Sequence, residues 1–97
     1  MSAQPQPPLT TGWPAWLQPV LDRVRVRDLR GAARQLKKLQ KDAPQTATAQ
    51  TALGWAWLLL RDAKAARRAF QRAAALDEHF AAAYHGWGHV AQQLGDA

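Results

Sequence analysis

From Asp28 onward, apolar residues recur three and four positions apart. Leu29, Ala32, Ala33, Leu36 and Leu39 make a single helical stripe that ends before Pro44, because proline disfavours helical backbone in the residue ahead of it. Asp28, just upstream, carries the short oxygen acceptor that an N-cap needs. The same period predicts helices over about 46–60 and 62–76, and a fifth segment from near Phe80 to Leu94 with Gly95 as its stop. A first helix lies within 14–27, and Pro19 leaves its start open between two places. It begins at Pro19, where a first-turn proline costs little, or it begins at Pro14 and kinks. Helix 46–60 is unusual in being apolar on two faces. Leu53, Trp57 and Leu60 share one face, and Trp55, Leu58 and Leu59 fall on another. Such a helix is either covered on both sides or presents a patch to a partner.

These elements repeat. Asp28, Asp62 and Asp96 are spaced by 34 and 34, as are Val26, Leu60 and Leu94, while Ala32 with Ala66 and Leu36 with Phe70 differ by 34 too. One register kept through several residue types marks a repeat architecture, in which each helical hairpin buries its apolar face against the next.

The repeated residues resemble the tetratricopeptide family, a 34-residue helix-turn-helix with the pattern W-x2-L-G-x2-Y, A-x3-F, P. The central copy supplies Leu53, Gly54, Trp57, Ala66, Phe70 and Ala73, with Gln50 in place of the first aromatic and Glu78 in place of the closing proline. The next copy supplies Tyr84, Trp87, Gly88, Leu94, Gly95 and Asp96. A degenerate first copy keeps Trp16, Asp28, Ala32 and Pro44, but has Pro19 and Val20 where Leu-Gly stands in the pattern. The resemblance implies an all-α, TPR-like α-α superhelix of about two and a half helical hairpins. Its repeats would be about 13–46, 47–80 and a partial 81–97, preceded by a flexible Pro/Gln-rich leader over 1–12. Gly54 and Gly88, with Ala32 and Ala66, are expected to let helices approach closely.

The resemblance also implies where a partner binds. In this family the first helices of successive repeats line a concave groove that holds peptides or helices. The equivalent stripes are Leu17, Leu21 and Val24, then Thr51, Trp55 and Leu58 with Leu59 beside them, then His85, His89 and Gln92. A groove of this composition is oily at one end and polar at the other, and it suits an amphipathic helix, with Trp55 as its anchor. The opposite expectation is that Trp55, Leu58 and Leu59 fill the contact between neighbouring repeats. Some members clamp a terminal carboxylate through Lys and Asn; the matching positions are Leu17, Leu21, Ala52, Ala82 and Gly86, which donate no side-chain hydrogen bond.

Composition narrows the classes of function. The 97 residues contain no Cys, which removes disulfides and thiolate chemistry. The first twelve residues lack a basic start followed by an apolar run, and no stretch approaches the roughly 20 apolar residues of a membrane span, so a cytoplasmic location and no membrane partner are expected. A net charge of +6 is concentrated on the second helices, with Arg30, Arg34, Lys37, Lys38 and Lys41 on one and Lys64, Arg67, Arg68 and Arg72 on the next. This basic face is either a solvated helix surface or a track for an acidic partner or nucleic acid without sequence preference. No aromatic is interleaved with it for base stacking. His85 and His89 stand at i, i+4, but two ligands do not complete a metal site and no HExxH frame is present, so no metal or other cofactor is expected. No nucleophile elbow, phosphate-binding glycine loop or paired carboxylates support an enzyme. Self-association into a homodimer, hiding the last helix or the groove, is the remaining expectation.

Overall fold

The computed structural model describes residues 13–95, and the leader expected over 1–12 lies outside them, as does Asp96. The described chain is all-α. A 3-10 turn, Ala15–Leu17, leads into α1 (Gln18–Arg25), followed by α2 (Leu29–Asp42), α3 (Ala47–Leu59), α4 (Ala63–Leu76) and α5 (Ala81–Leu94). Both prolines act at the first helix. The amide of Leu17 bonds the Pro14 carbonyl at 3.0 Å, closing the 3-10 turn, and Pro19 sits in the first turn of α1, where a missing donor is harmless. This shortens α1 to 8 residues, against 13 in α3 and 14 in α5.

The turns carry the 34-residue period into three dimensions. Asp28 caps α2 by accepting from the Gly31 amide at 2.9 Å, and Asp62 caps α4 by accepting from the Ala65 amide at 3.1 Å. Ahead of each cap the backbone crosses into the left-handed region at Arg27 (φ 64°) and Arg61 (φ 66°), and Gly95 adopts φ 77° one period later. The amides of Asp28 and Asp62 reach back five residues to the carbonyls of Arg23 and Trp57, each at 2.9 Å, which terminates the preceding helix. The carboxyl of Asp28 lies below its ordinary pKa, held there first by the Gly31 amide and then by Arg23 and Arg34. A left-handed L-residue costs about 1–2 kcal/mol, part of which glycine returns through its own chain entropy. Arg61→Gly is therefore expected to raise stability by about 0.5–1 kcal/mol, read as a higher urea midpoint.

Packing follows the hairpins. α3 lies most closely against α4, α4 against α5 and α1 against α2, while α3 also touches α5 and α2. At the centre is Phe70 of α4, fully buried. A Cβ added to Gly54 of α3 would stand 2.6 Å from the Phe70 ring, and one added to Gly86 of α5 would stand 2.3 Å from it. One aromatic ring thus seats against two glycines on two helices and ties three helices together. Gly54 behaves as expected from sequence. Gly88 does not, for a Cβ there would meet nothing within 4 Å; the close approach on α5 belongs to Gly86, which is buried. The reason is helix geometry: Ala83, Gly86 and Val90 are the buried side of α5, with Gly86 against Phe70 of α4, and Gly88, two residues on, lies on the opposite side of the helix.

This difference predicts opposite outcomes for two similar substitutions. Gly86→Ala overpacks the core and should cost about 1–3 kcal/mol. Gly88→Ala meets open space and should gain about 0.5–1 kcal/mol from improved helix propensity. Chemical denaturation of the two variants side by side checks the pair.

Candidate functional site

α3 and α5 contain no Asp, Glu, Lys or Arg, whereas α2 and α4 carry all nine cations of the basic face. Two kinds of surface result, and each gathers residues anticipated from sequence.

The first surface is that of α3 and α5, which touch each other, whereas α1, expected to continue the same row, packs chiefly on α2. Leu17 is fully buried, and Leu21 and Val24 are half-buried. Thr51 and Leu58 are buried, and Leu59 is exposed. Trp55, expected as an open anchor, retains only 6% of its exposure. Its indole meets Phe70 edge-on at 5.6 Å between ring centres, His89 at 5.2 Å and His85 at 6.0 Å. The physical cause is the seating of α5 with Gly86 against Phe70, which places both imidazoles beside the indole. His85 and His89 remain exposed, with ring centres 4.9 Å apart in an edge-to-face arrangement, and Gln92 is exposed one turn on. Trp55 is therefore the floor of this row, and the histidines are its outer layer. Among the described residues no group of three or more His, Cys, Asp or Glu side chains is placed to hold a metal ion. The hydroxyl of Thr51 is buried with no hydrogen-bond partner.

The second surface is the basic side. Arg30, Arg34, Lys37, Lys38, Lys41, Lys64 and Arg68 are exposed, while Arg67 and Arg72 are half-buried. Arg23, Arg34 and Lys38, with Gln35 and Gly31, line a cleft of about 160 Å³ between α1 and α2. Arg23 also pairs with Asp28 at 3.0 Å.

Arg72 is not a free member of this face. Its Nε donates to Gln50 Oε1 at 2.9 Å and its Nη2 to Gln40 Oε1 at 3.5 Å. Desolvation, and then the neighbouring Arg68, push its pKa down. Gln40 also accepts from the Trp57 indole at 2.9 Å, and Gln50 donates to the Pro44 carbonyl at 3.1 Å. This polar network pins the α2–α3 connection onto α4. It was missed at the level of sequence, although Gln50 gave a signal: an amide at a position where the repeat pattern buries an aromatic needs hydrogen-bond partners.

No family model, curated protein or solved structure matches this chain. Its reading rests on its own geometry. No helix among the described residues is long and apolar enough to cross a membrane.

Proposed function

We propose that the chain is a protein-interaction scaffold of the tetratricopeptide kind, which takes a peptide or amphipathic helix of a partner along the surface of α3 and α5. The observation that carries this reading is the charge segregation. Two neighbouring helices free of ionic side chains present an exposed edge of Leu59, His85, His89 and Gln92, with every basic-face cation kept on the other two helices. A solvated helix surface ordinarily carries charge, so an uncharged edge over an aromatic floor suits a partner with apolar anchors. Trp55 contributes by supporting the two imidazoles, and the partner reads the imidazoles themselves.

The test separates the two surfaces. The chain is used as bait, and whatever it retains is compared with the His85→Ala/His89→Ala variant and with the Lys37→Glu/Lys38→Glu variant. All four side chains are exposed, so both variants should keep the melting temperature within a few degrees. Loss of capture in the histidine variant alone is expected; loss in the lysine variant alone would refute the assignment.

The cleft of Arg23, Arg34 and Lys38 favours a second reading, in which the basic side holds a polyanion such as nucleic acid or an acidic protein segment. Binding of that kind weakens steeply as salt is raised from about 50 to 200 mM. A flat response over that range would dismiss it.

A further inference from the structure

The two hairpins differ at one seat. Shifting by 34 residues relates Arg23, Arg34 and Lys38 of the first hairpin to Trp57, Arg68 and Arg72 of the second. In the second, two of these positions converge on one oxygen: the Trp57 indole and the Arg72 Nη2 both donate to Gln40 Oε1, at 2.9 and 3.5 Å. In the first, the same two positions carry full charges, and among the described residues Arg23 and Lys38 share no acceptor. With Arg34 they line the cleft of about 160 Å³ between α1 and α2, beside the buried Gly31 and half-buried Gln35. Arg23 is steadied there by Asp28, whose Oδ2 accepts from its Nη1 at 3.0 Å while Oδ1 accepts from the Gly31 amide at 2.9 Å. Arg34 and Lys38 pair with no carboxylate among the described residues. Residues 1–12 contain neither Asp nor Glu, so they bring no counter-charge.

We propose that this cleft binds a phosphate group, free or carried as a monoester, between Arg23, Arg34 and Lys38. Charge decides the class of ligand. Three cations against the Asp28 carboxylate leave an excess of two, which a phosphate monoester, carrying about −1.5 to −2 at neutral pH, balances. A carboxylate or a phosphodiester link of nucleic acid brings a single negative charge and leaves a cation over. Size agrees, because small-molecule pockets run to about 300–1,000 Å³, and a cleft of about 160 Å³ seats one oxyanion with its carrier outside. The Arg34 guanidinium supplies a planar fork of donors that matches phosphate oxygens, and the Lys38 ammonium supplies a point charge. The inference narrows the second reading above, that of the basic side as an anion surface, and rests on it. It is independent of the surface of α3 and α5.

Sodium phosphate and a short phosphoserine peptide are the probes, titrated into the isotopically labelled chain at about 150 mM ionic strength, where surface charges are largely screened. The expected result is saturable shifts of the Gly31 amide and of the Arg23 and Arg34 Nε–H signals. Equal binding of the two probes identifies free phosphate as the source, and tighter binding of the peptide identifies a phosphorylated protein. Arg34→Ala/Lys38→Ala should weaken binding at least tenfold, through loss of two charge-assisted contacts. Lys64→Ala/Arg68→Ala removes the same charge from α4 and should leave binding within about twofold. All four side chains are exposed, so both variants should fold normally. Three outcomes overturn the proposal: no saturable shift with either probe, equal loss in the two variants, or equal binding by a peptide with glutamate in place of phosphoserine. A single-stranded oligonucleotide titrated in parallel separates this inference from the reading beneath it. Salt-sensitive oligonucleotide binding without phosphate binding defeats the cleft alone, and absence of both defeats the basic side as an anion surface.

Discussion

Phe70→Ala is expected to lose most of the cooperative unfolding transition. The ring is wholly buried against Gly54, Gly86 and the edge of Trp55. Glycine neighbours cannot fill a vacated space, having no side chain to swing inward, so the cavity collapses poorly and the cost falls in the range of about 3–5 kcal/mol. A chain of this length holds about 5–15 kcal/mol in total. The loss should appear as a broad, low-temperature melt by circular dichroism. Phe70→Leu, which keeps most of the volume, should recover more than half of the lost stability. An unchanged melting temperature in Phe70→Ala would mean that the ring is not the contact joining α3, α4 and α5.

Trp55→Ala carries the second large effect, about 3–5 kcal/mol by the same reasoning of lost burial plus cavity. Its functional consequence is more informative than its size. Because the indole supports His85 and His89, its removal should damage fold and partner capture together, whereas His85→Ala/His89→Ala should damage capture alone. Trp55→Phe retains an aromatic surface beneath the imidazoles, and should restore much of both. Thermal melts and capture assays run on the same preparations decide the matter. Loss of capture by Trp55→Ala with an unchanged melt would return the indole to the role of an open anchor.

The helices were legible because their signals are local. Apolar spacing, the caps at Asp28 and Asp62 and the stop at Gly95 depend on residues within a few positions, and each stands in the structure where the pattern put it. The 34-residue period was legible for the same reason, and it reappears in the left-handed turns at Arg27, Arg61 and Gly95. What the pattern did not reveal is which side of α5 meets α4. Gly86 and Gly88 are two residues apart on α5, and which of them meets Phe70 depends on a tertiary contact rather than on propensity or spacing. That same contact between helices determines whether Trp55 stands open or lies beneath two imidazoles. Polar residues inside apolar surroundings were hidden as well, since a pattern of apolar positions cannot show that Gln50 finds Arg72 twenty-two residues away.

The proposed surface derives from the seating of Phe70, which orients α5 and with it the histidine edge. Nuclear Overhauser contacts from the Phe70 ring protons to the glycine Hα protons test this most directly. Strong contacts to Gly54 and Gly86, ring-current shifts at both and neither effect at Gly88 are predicted. Strong contacts to Gly88 with none to Gly86 would mean that α5 is turned differently, and would contradict the assignment of the histidine edge.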